Sequence, residues 1–84
     1  IADLEEKGIR FYPNPAQDWL HIEMPDPQHA DLLEIRNVHG QLVERVPIHT
    51  ISTNISVQNL PAQVYGLSFF REGQFVGSGR FMKR

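Results

Sequence analysis

Eighty-four residues make one domain, near the lower limit of what folds without staples. There is no cysteine, which excludes disulfides and thiolate metal sites and leaves apolar burial to supply the stability. A formal net charge of −2 with mixed signs offers no basic face for nucleic acid, and no apolar run approaches the roughly 20 residues that cross a bilayer as a helix.

The opening "IADLEEKG" (residues 1–8) is short and polar and carries no signal-peptide pattern. It reads as the end of a linker from an upstream protein or as a loose first strand. In "FYPNPAQDWLHIEMP" the two prolines, Pro13 and Pro15, fix their own φ and push Tyr12 and Asn14 away from helical backbone. Immediately afterwards Leu20, Ile22 and Met24 alternate with Trp19, His21 and Glu23, the period of a strand with one covered face. The stretch predicts a rigid corner that delivers the chain into a sheet.

From Ile9 onward the pattern is extended nearly everywhere. Strands are predicted near Ile9–Tyr12, Asp18–Met24, Asp31–Asn37, Gln41–Val46, Asn54–Val57, Gln63–Phe70 and Gln74–Met82. "PDPQHA" breaks the chain with two prolines and an aspartate, and "HG" (His39–Gly40) and "EG" (Glu72–Gly73) offer positive-φ positions for tight hairpins. Pro47 and Pro61 punctuate the longer connections, and no stretch carries a helical apolar stripe. Seven short strands at this spacing predict an all-β fold, a two-layer antiparallel β-sandwich.

The alternation nominates Leu20, Ile22, Leu33, Ile35, Leu42, Ile55, Val57, Val64, Tyr65, Leu67 and Phe69 as the core. Trp19 is expected to be core or half-buried, since aromatics contribute so much of a small core. Tyr65 follows a loop and opens an apolar strand in "LPAQVYGLSFF", the placement of a tyrosine corner whose hydroxyl bonds to upstream backbone.

Catalytic chemistry has little to stand on. His21, His29, His39 and His49 lack the spacing of a local metal motif, and no cofactor is implied. Asp26 and Asp31 flank a loop, and Glu5 and Glu6 lie in the leader, which is solvated turn chemistry rather than an acid–base pair. Ser52, Ser56, Ser68 and Ser78 have no nucleophile-elbow context. "GSG" (Gly77–Gly79) lies inside a strand pattern, where a bulge or close backbone approach explains it better than a phosphate loop. "NIS" (Asn54–Ser56) fits the glycosylation triplet, a pattern common by chance. The expected absence of catalysis points to a binding or structural module.

Four separated pieces, "FYPNPAQDWLHI", "EIRNVHGQLVERV", "ISVQNLPAQVYGLSF" and "GRFMKR", resemble in order the type A C-terminal sorting domain of the type IX secretion system of Bacteroidetes. The resemblance covers about residues 9–84, which it marks as the sorting domain behind the 1–8 linker. Tyr12, Pro13, Asn14 and Pro15 match its Y-P-N-P opening, Gly40 its hairpin glycine, and Leu60, Pro61 and Tyr65 its L-x-x-G-x-Y segment. Gln63 stands where that segment usually has glycine, and Gln41 where a basic residue is common.

The resemblance implies a seven-stranded immunoglobulin-like sandwich attached to an upstream cargo. It also implies passage through the periplasm, recognition by the type IX secretion machinery, and transfer to the cell surface or beyond. Removal by a surface sortase at the outer membrane, with the cargo anchored to lipopolysaccharide, belongs to the same expectation. Arg80, Phe81, Met82, Lys83 and Arg84 are the expected recognition residues, because cationic and apolar side chains at a terminus suit an acidic or edge-strand surface. A competing reading is an immunoglobulin-like adhesion or carbohydrate-binding accessory module of a secreted enzyme, which an exposed platform of Trp19 and Tyr12 would favour. A buried Trp19 would favour the signal.

Overall fold

The computed structural model describes residues 8–26 and 28–84, so the reading of residues 1–8 as linker or loose strand falls, Gly8 apart, outside the described residues. Seven strands form: β1 (Arg10–Tyr12), β2 (Trp19–Glu23), β3 (Leu32–Arg36), β4 (Leu42–Pro47), β5 (Ser52–Ser56), β6 (Val64–Arg71) and β7 (Gln74–Met82). No helix occurs among the described residues. The strands make two antiparallel sheets, one in the order β1-β2-β5 and one in the order β4-β3-β6-β7. All seven predicted strands are present, and the fold is the expected immunoglobulin-like sandwich.

The turns follow from their residues. Between β6 and β7, Glu72 (φ 51°) and Gly73 (φ 81°) form a two-residue loop closed by the Arg71–Gln74 pair. Positive φ at both positions matches the right-handed twist of the flanking strands. Glu72 tolerates a conformation that usually needs glycine, and its N–H donates to the Asp31 carboxylate at 2.9 Å. Between β3 and β4, Gly40 adopts φ 77°, while Asn37 Oδ1 accepts the N–H groups of His39 (2.9 Å) and Gln41 (3.1 Å). An asparagine side chain bonded to its own downstream backbone is a turn device that needs no tertiary partner.

The inner faces of the two sheets bury Leu20 and Ile22 from β2, Leu33 and Ile35 from β3, Ile55 from β5, Tyr65, Leu67 and Phe69 from β6, and Phe81 from β7. Val57 joins them just beyond β5. Ile9, Ala16, Met24, Ala30 and Ile48, which the alternation did not nominate, complete the core from strand flanks and loops.

Three core expectations are corrected. Trp19 is 57 % exposed, because the β2 register gives the inner face to Leu20 and Ile22 and turns residues 19, 21 and 23 outward. Leu42 is 41 % exposed, because the β3–β4 register slips between Ile35 and Arg36. Ile35 faces Glu44 while Arg36 faces Leu42, so Val43 is the extra residue and packs against the core in its place. Val64 is only half-buried: it pairs with Met82 on the outer face, since neighbours on a strand cannot both point inward with Tyr65.

This assignment of faces has a direct test. Leu67→Ala, at a fully buried position, is expected to cost about 2–5 kcal/mol. Leu42→Ala should stay within about 0.5 kcal/mol, as exposed positions do. Urea denaturation of both variants measures the difference, and comparable losses would place Leu42 in the core after all.

Candidate functional site

The proline corner is bonded to the last strand. Asn14 lies beside the outer edge of β7, where its Oδ1 accepts the Met82 N–H at 2.9 Å and its Nδ2 donates to the Arg80 carbonyl at 3.4 Å. The side-chain amide thus presents one acceptor and one donor to an edge strand, as a neighbouring peptide unit would. Two residues on, the fully buried Ala16 continues the pairing with backbone alone: its N–H donates to Met82 O and its carbonyl accepts the Arg84 N–H, both at 2.8 Å. Ala16 and Lys83 form a parallel bridge. Pro13 and Pro15, each preceded by a cis bond, alternate with these two bonding residues and have no N–H of their own to satisfy.

The expected recognition residues therefore divide by side. Phe81 is 1 % exposed and stacks on Tyr65, ring centroids 5.5 Å apart. Lys83 is 8 % exposed, and its N–H donates to Gln63 O at 2.9 Å. Arg80, Met82 and Arg84 are exposed. The alternation of an edge strand continues to the terminus, so the segment presents two cations and a thioether outward while Phe81 and Lys83 anchor it.

The remaining motif residues support the same end of the sandwich. The Tyr65 hydroxyl donates to Pro61 O at 2.6 Å, the tyrosine corner expected from the sequence. Leu60 packs half-buried against the core after its N–H bonds Val57 O, and Gly40 sits in the β3–β4 hairpin, remote in sequence from the corner. Gln63 lies outside the left-handed region, since Glu72 is the sole non-glycine with positive φ among the described residues. A Cβ at residue 63 is thus accommodated without backbone strain.

The outer face of β1-β2-β5 carries a second arrangement. Tyr12 (41 % exposed) and Trp19 both point outward, with His21 between them on the same face. The Tyr12 and His21 rings are 5.0 Å apart, and the Arg10 guanidinium, paired with Glu23 at 3.0 Å, lies 5.8 Å over Tyr12. His21 Nδ1–H donates to Asn54 Oδ1 at 2.6 Å while the Ser52 hydroxyl reaches Nε2 at 3.3 Å. Trp19 was expected to be core or half-buried; its alternation with the buried Leu20 and Ile22 was the signal that places it outward.

On the other outer face, Glu34 of β3 is 8 % exposed beneath Arg36 and Arg45, each 3.0 Å from one of its oxygens. Hydrogen bonds from Arg36 and then Arg45 hold its carboxyl below the usual glutamate value. Asp26 is lowered by hydrogen bonds from the His29 side chain and the Gln28 backbone, which makes it a loop brace. His39 lies in a hairpin turn and His49 is exposed; no three His, Asp or Glu groups among the described residues gather as a metal cluster.

Phe81→Ala should destabilise the chain by about 3–5 kcal/mol, and Asn14→Ala by about 1 kcal/mol with faster hydrogen exchange at the Met82 amide. Undiminished protection of Met82 in Asn14→Ala would show that Ala16 holds the edge unaided. For pH, a carboxyl lowered in the folded state stabilises above its unfolded pKa, ordinarily 4.5 for glutamate here, and loses that contribution as pH falls through the lowered value. Acid titration of the urea midpoint should therefore fall less steeply in Glu34→Gln than in the parent chain; parallel curves would remove Glu34 from the acid response.

The comparison with known families matches residues 10–82 to the secretion system C-terminal sorting domain. No curated protein matches the chain. The matched span begins at β1, includes the Pro13–Pro15 corner and the Tyr65 corner, and ends at the last residue of β7. The chain belongs to the family of type IX secretion system C-terminal sorting domains.

Proposed function

We propose that the chain acts as a non-catalytic address label: the type IX machinery reads it in the periplasm and carries the upstream cargo through the outer membrane. A surface sortase then removes it and anchors the cargo to lipopolysaccharide. The observation that carries this reading is the bonding of the proline corner to the terminal segment, which makes one rigid surface from the two ends of the family motif. That surface presents Arg80, Met82 and Arg84, a cationic and apolar row suited to an acidic partner.

The test fuses the chain behind a signal-peptide-bearing reporter in a type IX-competent bacterium. Arg80→Gln with Arg84→Gln removes the outward charges and keeps the backbone bonds; deleting Lys83 and Arg84 also removes the bonds to Gln63 and Ala16. Surface delivery of the parent and periplasmic retention of the folded double variant are expected. A parent fusion that folds but stays in the periplasm would sink the sorting role. Equal export of the double variant would move recognition off this row.

A second reading is favoured by the outward Tyr12 and Trp19, which with Asn54 and Ser56 form the kind of aromatic and polar face that stacks on sugars. Trp19 is the only tryptophan, so its fluorescence reports that face alone. A saturable change with soluble oligosaccharides, lost in Tyr12→Ala, is the outcome this accessory-module reading requires; a flat titration ends it.

A further inference from the structure

The two layers of the sandwich are unequal, four strands facing three. β4 ends the larger layer and β5 the smaller, and they share a groove in which Val46 and Leu60 are half-buried beside Glu44 and Ile55. No strand lies beyond β5 among the described residues.

The four sheet edges are not equally protected. β1 is three residues long, β4 carries the Val43 bulge, two charged residues and Pro47, and β7 is covered by the corner at one end and bulged at the other. β5, Ser52–Ser56, has no charge, no proline and an unbroken register with β2. Natural sheets blunt their edges with just those devices, so β5 stands out as an edge left open for pairing.

Its backbone is aimed for the purpose. Val57 N–H donates to Asp18 O and Met24 N–H to Ile51 O, each at 2.9 Å. Antiparallel alternation then turns residues 51, 53, 55 and 57 toward β2, and Ser52, Asn54 and Ser56 direct their N–H and C=O groups outward, with the Ser52 carbonyl already accepting the Thr50 hydroxyl at 2.6 Å.

We propose that β5 is a docking edge for an extended segment of another protein, with apolar side chains at alternate positions and a lysine or arginine to meet Glu44. Such a segment would become the fourth strand of the smaller layer and lay its apolar face on Val46 and Leu60. Glu44 lines the groove and has no ion pair among the described residues, which sets the sign of the partner's charge. A second copy is a poorer occupant: self-pairing about Asn54 offers Thr53 and Ile55 to the groove and no cation to Glu44. This edge is separate from the Arg80–Arg84 row and does not depend on the sorting role.

The test uses the purified, isotope-labelled chain and a capped seven-residue peptide alternating valine with threonine and carrying one lysine. Amide shifts and slowed exchange centred on Ser52, Asn54 and Ser56 are expected. A glutamate-for-lysine peptide should bind roughly two- to fivefold more weakly, with the preference reversed in Glu44→Lys. Ser56→Pro removes an outward N–H at an edge, where proline is tolerated, and should abolish binding in a folded chain. If that variant does not fold, Val46→Lys, which places a like charge on the groove floor against the peptide's lysine, should abolish it instead. No shifts at millimolar peptide, shifts centred elsewhere, or a concentration-dependent dimer using the same amides would overturn the proposal.

Discussion

The outer edge of β7 is held by a segment that is not itself a strand of its sheet. Asn14 supplies a side-chain amide and Ala16 a backbone amide, and together they bond Arg80, Met82 and Arg84. The corner runs directly between β1 and β2, so these bonds tie the smaller layer to the far edge of the larger one. A sandwich is otherwise joined across its layers only by side-chain packing, which has no direction. Directional bonds at this edge fix where the layers meet.

The rest of that end is arranged around the same seam. Tyr65 is bonded to Pro61 at its hydroxyl and stacked on Phe81 at its ring, so the loop before β6 and the end of β7 share one buried aromatic pair. With no cysteine in the chain, burial of this kind has to do what disulfides do in other small extracellular domains. The seam also disposes of an edge strand, a site of unwanted pairing if left bare. On the opposite side of the sandwich no such bonds cover β5 among the described residues.

The seam turns two distant sequence motifs into one surface. Proline and asparagine in the corner, and cations and apolar residues in the tail, lie far apart in the chain, yet they are one hydrogen bond apart in space. Anything that reads the tail meets the corner as well. The outward charges belong to Arg80 and Arg84, while Lys83 runs inward, so net charge at the terminus overstates what a partner would meet.

Much of the architecture was legible in the sequence because it rests on local chemistry. Strand period, the asparagine and glycine turns, the prolines and the tyrosine corner are each set by residues within a few positions of one another. Leu20, Ile22, Leu33, Ile35, Leu67 and Phe69 could be assigned to the core on alternation alone. What alternation does not contain is which parity faces inward, and a bulge changes that parity midway. Leu42 was misplaced for that reason, by a single extra residue opposite β3, whereas Trp19 was misplaced by weighing aromatic burial above an alternation with Leu20 and Ile22 that already turned it outward. The bond from Asn14 to β7 was equally out of reach, since its partner is 68 positions away and no local preference encodes such a distance. The sequence by itself determined the strands, their turns and the family they spell; only the tertiary structure decided which side chains face outward, because facing is a property of two layers and not of one strand.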